Sequence, residues 1–261
     1  MQIASLGSGS KGNATLIDDG ETCIIIDLGF TLKETVRRLA RLGKSPEDID
    51  AILVTHEHAD HIQGVSVFGR KYKTPVYLTP GTHNPERMGA VPDLNYINCH
   101  RNFSVGSLGV EPVPVPHDAR EPCQYVVSSN GFKVGVLTDL GHITPFVEQQ
   151  YHRCDALLLE CNHDMQMLDN GPYPWQLKKR VGGMHGHLNN EQAAQLLLKI
   201  DLSKLQHLII SHISEKNNSI ELALEAMNSA LDPLVAFNGN LVVARQDEGF
   251  GWLEVSKHSR S

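Results

Sequence analysis

Thr55-His56-Glu57-His58-Ala59-Asp60-His61 places three imidazoles and a carboxylate within six positions, directly after the apolar run Ala51-Ile52-Leu53-Val54. Imidazole with carboxylate is a donor set for zinc or manganese, with iron as a third candidate. No cysteine lies close by, so the pattern does not describe a closed structural zinc site; an open coordination position implies chemistry. The competing reading is a histidine-rich solvated turn.

Three further candidates sit at the ends of later strand-like runs: His117 in Val115-Pro116-His117-Asp118, Asp139 in Leu137-Thr138-Asp139-Leu140-Gly141, and His212 in Ile209-Ile210-Ser211-His212. A lone histidine at a strand end is more often a hydrogen-bonded structural residue. Strand ends on one edge of a sheet converge, however, and ligands placed there are held by a rigid frame.

The elements that must position these residues are short. Strands are expected over Gln2 to Leu6, Ala14 to Ile17 and Cys23 to Asp27. A helix should then start at Thr31, with Glu34 completing a capping box, and end at Gly43. Ala51 to Thr55 is a buried strand whose carboxyl end delivers the histidine cluster. Strands follow at Val76 to Thr79 and Val110 to Val115, and Asn130-Gly131 marks a hairpin between Tyr125 to Ser128 and Lys133 to Thr138. Helical patterns at Glu191 to Ile200 and Ile220 to Leu231 bracket a strand at Leu205 to Ser211, and strands at Leu241 to Ala244 and Trp252 to Val255 close the chain. With no repeat or linker, residues 1–261 read as a single α/β domain with mixed sheets.

The composition, 41% hydrophobic and 20% charged, is that of a globular protein. The start shows no basic stretch followed by an apolar run and no segment approaches a membrane span, so a cytoplasmic protein with no membrane partner is expected. Five cysteines without a CxxC pair read as small buried residues and not a disulfide framework. A net charge of −7 argues against coating nucleic acid by bulk electrostatics, but bound divalent cations would reverse the local sign. Lys178-Lys179-Arg180 is a cationic run that reads first as a solvated face.

Taken in order, the motifs resemble the metallo-β-lactamase superfamily of hydrolases: an Asp after an early strand (Asp27), His-x-His-x-Asp-His, a later His, an Asp and a final His. The resemblance implies a four-layer αβ/βα sandwich binding two divalent metals at one edge. His56, His58 and His117 would hold the first metal, and Asp60, His61 and His212 the second. Asp139 would bridge the two, with Asp27 in support. The segment between Asp139 and His212 is too short for a β-CASP insertion, and no tRNA-gripping arm separates His117 from Asp139. Gly7-Ser8-Gly9-Ser10-Lys11-Gly12-Asn13, Glu160-Cys161-Asn162-His163-Asp164, Gly186-His187-Leu188-Asn189-Asn190 and His212-Ile213-Ser214-Glu215-Lys216-Asn217-Asn218 are similar to the YycJ/WalJ family. That family implies a metal-dependent exonuclease acting on DNA from the 5′ end. Asn189 departs from it, since Ser is common there.

A metal pair lowers the pKa of a bridging water and clamps the oxygens of an in-line phosphoryl displacement, so hydroxide is the expected nucleophile. Asp60 would bind metal and orient that hydroxide, and His187, oriented by Glu160, would protonate the leaving alkoxide. Ser8, Ser10 and Asn13, in a Gly-rich loop that is not a P-loop, are candidate phosphate contacts or a tight turn supporting the metal edge. Asn217 and Asn218 either bind phosphate or cap the helix after Ser219. Tyr173 and Trp175 offer a base-stacking pair, with core packing as the alternative. A small-molecule phosphodiesterase or a thiolester hydrolase would use the same metals, whereas a non-catalytic scaffold would need only a closed site. The sequence is silent on oligomeric state.

Overall fold

The computed structural model describes residues 1–232 and 237–257. Short apolar runs punctuated by glycine and serine form β1 (Gln2–Gly7), β2 (Ala14–Asp18), β3 (Cys23–Ile26), β4 (Ala51–Leu53), β5 (Val76–Leu78) and β6 (Leu94–Tyr96). A second set comprises β7 (Phe103–Val105), β8 (Leu108–Pro114), β9 (Cys123–Ser129), β10 (Phe132–Leu137), β11 (Ala156–Glu160), β12 (His207–Ser211) and β13 (Asn240–Val243). The last strand, β14 (Phe250–Glu254), returns to β1, so the described residues form two seven-stranded sheets in the orders β14-β1-β2-β3-β4-β5-β6 and β13-β12-β11-β10-β9-β8-β7. Both sheets are mixed: β14-β1-β2-β3 and β7-β8-β9-β10 are antiparallel, and the remaining neighbours are parallel.

The segments between strands carry α1 (Leu32–Arg41), α2 (Ala59–Ile62), α3 (Val65–Tyr72), α4 (Pro85–Met88), α5 (Pro145–Gln150), α6 (Met165–Asn170), α7 (Trp175–Val181), α8 (Asn190–Lys199) and α9 (Ile220–Leu231). Three buried clusters define the layers. Ile3, Ile17, Ile26 and Leu53 meet Val127, Val136, Leu158 and Ile209 between the sheets. Leu39 of α1 and Phe68 of α3 cover Leu16, Ile25 and Ile52 on the far face of the first sheet. Val147 of α5, Leu196 of α8 and Met227 of α9 cover Leu157, Leu159 and Ile210 of the second. Successive strand residues point to opposite faces, so each sheet feeds two clusters, giving the expected αβ/βα sandwich. Each fully buried Ile or Leu contributes about 1.5–3 kcal/mol.

Several local expectations shift. Thr31 caps α1 by accepting from Glu34 N, but the Glu34 carboxylate turns to Arg37 and Arg38 and does not close the capping box. Arg38 is buried, donating to the carbonyls of Leu6 and Gln246. Strand β11 is absent from the sequence reading because Ala156-Leu157-Leu158-Leu159 lacks alternation, and an unbroken apolar run suits a buried strand or helix equally. Asn130 and Gly131 both have positive φ, as a type I′ hairpin turn requires.

Candidate metal centre

The parallel halves of the sheets point their carboxyl ends to one edge. Asp27 follows β3, Thr55 and His56 follow β4, Asp139 follows β10, Glu160 ends β11, and His212 follows β12. Strand β8 runs in the same direction as β10, since both are antiparallel to β9, and it leads to His117 at that edge. Asp27, Asp139 and His212 leave their strands with φ of 61°, 50° and 52°, a left-handed conformation that side chains seldom adopt. The twist turns each side chain out of its strand's alternation, and the cost, about 1–3 kcal/mol each, is the kind of strain that persists only where surrounding structure holds it. The histidine loop is stitched beneath by backbone: Asn13 N donates to Asp60 O and Leu28 N to His61 O, at 2.8 Å each. A Cβ on Gly29 would lie 1.7 Å from Asp60 O, so that approach requires glycine.

Hydrogen bonding at the second ring nitrogen sets the tautomer of each histidine. Thr55 spends its hydroxyl proton on Asp27 Oδ2 at 2.8 Å, so it accepts from His56 Nδ1 at 2.9 Å and leaves His56 Nε2 bare. His117 Nδ1 donates to Gly186 O at 2.9 Å, His61 Nδ1 to Asp27 Oδ2 at 2.8 Å, and His212 Nδ1 to Glu160 Oε1 at 2.9 Å. His58 is inverted: its Nδ1 faces His56 Nε2 at 2.9 Å and His117 Nε2 at 3.4 Å. One proton cannot serve three converging nitrogens, whereas a cation among them would. Beside this group, His61 Nε2 lies 3.4 Å from Asp60 Oδ2 and 3.3 Å from Asp139 Oδ2, and His212 Nε2 is 3.7 Å from Asp60 Oδ2. Asp139 Oδ1 is 4.0 Å from His117 Nε2, so this carboxylate lies between the two groups. Asp139 Oδ2 and His212 Nε2 are buried without a hydrogen-bond partner among the described residues. Orphaned acceptors of that kind fit divalent cations, and the sets His56/His58/His117 and Asp60/His61/His212 each have their donor atoms within 4.8 Å of one another.

Charge reinforces the fit. Burial opposes a proton on His61 and His212, but Asp139 and the carboxylates around them outweigh it, raising His61 well above the ordinary imidazole value and pushing His212 up to about 10. Burial, with neighbouring imidazoles adding to it, holds His56 well below that value. Burial works against ionised Asp60 and Asp139, yet the surrounding imidazoles keep both carboxyls below the usual carboxylate range. The field that draws protons to His61 and His212 would draw a divalent cation in their place.

Glu160 and His187 touch. His187 Nδ1 donates to Glu160 Oε1 at 2.8 Å, while Glu160 Oε2 accepts from Leu140 N and Leu188 N. Because His212 shares Oε1, this fully buried carboxylate meets four donors; it positions two histidines and has no lone pair left for a metal. Burial opposes protonation of His187, but Glu160 and Asp139 outweigh it and raise its pKa. The ring lines a cavity of about 190 Å³ together with His58, Asp60, Asp139 and Ser10.

Four expected phosphate contacts are corrected. Ser8 Oγ accepts from His212 N and donates to Asn13 Oδ1, and Asn13 Nδ2 donates to Gly9 O and lies 3.4 Å from Asp60 Oδ2. Both are buried braces of the metal edge, and of the glycine loop's candidates only exposed Ser10 reaches the cavity. Asn217 is fully buried, and Asn218 is locked to Asn190 and Cys161 O. Neither caps α9, whose cap is Ser219 accepting from Leu222 N. Asn189 caps α8 in a reciprocal box with Gln192, a task for which Asn and Ser are equivalent, so no hydroxyl contact is lost there. His163 is buried, with burial lowering its pKa to about 4; His142 Nδ1 donates to Met184 O, and His185 is exposed. The sequence reading missed Asp118, whose Oδ1 is 3.4 Å from His117 Nε2 and whose Oδ2 contacts Arg180 Nε. Its position after His117 was the available signal; nothing local marked Arg180.

Asp27 is the keystone of this support, because its two oxygens accept from Thr55 N, Thr55 Oγ1 and His61 Nδ1, each at 2.8 Å. Asp27→Asn keeps a residue that tolerates positive φ but loses one acceptor. Metal affinity is expected to fall by about 10–100-fold, read by competition with a chelating dye. Unchanged affinity would show that His61 needs no such support.

The beta-lactamase superfamily domain pattern matches residues 22–213. The chain is 34% identical over 241 residues to exodeoxyribonuclease YycJ of Bacillus anthracis, covering 89% of each, and 33% identical over 237 residues to exodeoxyribonuclease WalJ of Streptococcus pneumoniae, covering 88% of each. In fold it is similar to the metallo-beta-lactamase fold protein YhfI from Bacillus subtilis, at a TM-score of 0.70 and 15% identity over 97% of this chain and 99% of that one.

Proposed function

This chain belongs to the metallo-β-lactamase superfamily and, within it, to the family of the exodeoxyribonucleases YycJ and WalJ, and from that premise we propose that it is a dinuclear metal-dependent 5′ to 3′ exonuclease acting on DNA. The observation that carries the reading is Asp139 standing between two convergent sets of donor atoms, with His187, held by Glu160, lining the same cavity. His56, His58 and His117 would hold one ion, Asp60, His61 and His212 the other, and Asp139 both. Zinc and manganese suit these donors, with iron a third candidate. Such a pair, when bound, activates water and neutralises charge on phosphoryl oxygens.

The chain's own residues do the rest. Asp60, ionised and lining the cavity, accepts a hydrogen bond from the attacking water and so fixes its direction. His187 keeps Nδ1–H on Glu160, which leaves Nε2 to carry the proton that the departing alkoxide takes. The negative charge of Glu160 favours the imidazolium before transfer. Ser10 meets the substrate at the cavity rim. Residues 1–261 act as one hydrolase domain in this reading. A cytoplasmic location accords with five buried, unpaired cysteines, and among the described residues no helix is long and apolar enough to cross a membrane.

The test is incubation of the metal-loaded protein with end-labelled DNA and RNA oligonucleotides, beside cyclic nucleotides and a thiolester. Mononucleotides released from the 5′ end of DNA are expected; preferential turnover of the thiolester would overturn the reading. Elemental analysis should find about two metals per chain, since seven ligand-capable side chains exceed what one four-coordinate ion uses. One metal with full activity would remove the bridging role of Asp139.

A further inference from the structure

Among the described residues, helix α7 lies at the cavity and buries no residue of its own. Trp175 at its start is 74% exposed, which removes the core-packing alternative. Pro172 and Pro174 flank Tyr173, which lines the cavity, so backbone freedom is spent before anything binds. Lys216 Nζ stands 5.8 Å from the Tyr173 ring centre. Lys178 and Lys179 share the Trp175 face of the helix by their three- and four-residue spacing, and Arg180 lines the cavity with Nε on Asp118. The segment is pinned where it ends: Gly186 O receives His117 Nδ1, Met184 O receives His142 Nδ1, and a Cβ on Gly141 would sit 2.2 Å from Met184 O. A helix that contributes nothing to the core, yet leads into a segment fastened to His117 of the metal centre, is placed to meet something outside the fold.

We propose that residues 171–186 grip a single strand of nucleic acid ahead of the metal centre, Tyr173 and Trp175 by stacking on unpaired bases, and Lys179 and Arg180 by taking phosphates. The proposal rests on the nuclease reading and names the form of substrate it takes. Charge selects the occupant: three consecutive cations stand here in a chain of net charge −7, and a polyanion with aromatic bases answers both features of the face. Stacking selects the strand number, because Tyr173 and the exposed Trp175 meet base faces only where the bases are unpaired; the cavity beside them is about 190 Å³. A second cavity of about 600 Å³ shares Ser10 and Asp60 with the first and is lined further by Gln63 and Arg87.

The chain has two tryptophans, and Trp252 is held with Nε1 on Leu42 O, so comparison of the parent with Trp175→Phe isolates the emission of Trp175. Titrating the metal-loaded protein with single-stranded oligo(dT) should quench emission saturably, and the quenching should vanish in Trp175→Phe, where only Trp252 emits. Trp175→Ala should raise KM for single-stranded DNA roughly tenfold with kcat kept, while Trp175→Phe, which preserves a stacking face, stays near the parent. Lys179→Gln should reduce the salt dependence of binding by about one in the log–log slope. Unquenched emission, or an unchanged KM for Trp175→Ala on an oligonucleotide both proteins cleave, would overturn the proposal and leave the nuclease reading standing. A parent protein that cleaves no oligonucleotide would instead overturn the nuclease reading, and this proposal with it.

Discussion

Asp60→Asn is expected to lower the turnover of DNA by about a thousandfold while leaving KM within a few-fold of the parent. The carboxylate does two things an amide cannot. It brings full negative charge to within 3.4 Å of His61 Nε2 and 3.7 Å of His212 Nε2, and it offers acceptors to a water in the cavity. Asn keeps the volume and lets Asp60 O go on accepting from Asn13 N, so the loop should keep its path. The proposed grip on the substrate uses other side chains, Tyr173, Trp175 and Arg180, which the change leaves intact. That separation predicts a defect in kcat and not in KM. Thermal unfolding close to that of the parent would exclude a folding defect. Single-turnover cleavage at the parent rate would remove Asp60 from the reaction.

His187→Ala separates proton donation from the rest of the site. An alkoxide leaves poorly without a proton, whereas nitrophenolate leaves without one. Cleavage of DNA should fall by about a hundredfold or more, with a loss of no more than a few-fold on a nitrophenyl phosphodiester at saturating metal. Glu160→Gln makes a useful contrast, because Glu160 Oε1 serves His187 and His212 together. Both substrates should suffer there, since His212 belongs to the metal centre as well. Equal losses on the two substrates in His187→Ala would sink the proton-donor role and leave that ring as a positioning residue.

Much of the site was legible because its signals are local. His56, His58, Asp60 and His61 fall within six positions, and the apolar run before them, with β-branched Ile52 and Val54, favours a strand delivering them to an edge. Asp139 and His212 were legible for a similar reason, each following an apolar run at its carboxyl end. The hairpin at Asn130-Gly131 was equally plain, because two consecutive positive φ angles need those residue types. Burial was not legible. Ser8, Asn13, Asn217 and Asn218 have the chemistry of phosphate ligands, and in the chain alone nothing distinguishes an amide that faces a cavity from one that braces a loop. In the structure, Ser8 is 2.9 Å from His212 N across 204 positions of sequence, and that contact takes the hydroxyl away from any substrate.

By itself the sequence determined which residue types stand at the strand ends, and with them the chemistry of a metal-dependent hydrolase, since ligand identity and short spacing are properties of the chain. Only the tertiary structure decided how those ligands are aimed. Thr55 turns His56, Asp27 turns His61, Gly186 O turns His117, and Glu160 turns both His187 and His212. Most of those partners are brought together by the sheet order, which places β3 beside β4 and β11 between β10 and β12. The exposure of Trp175 was likewise decided by what the fold left uncovered, because an aromatic side chain is apolar enough for a core and flat enough for a base, and only packing says which it meets.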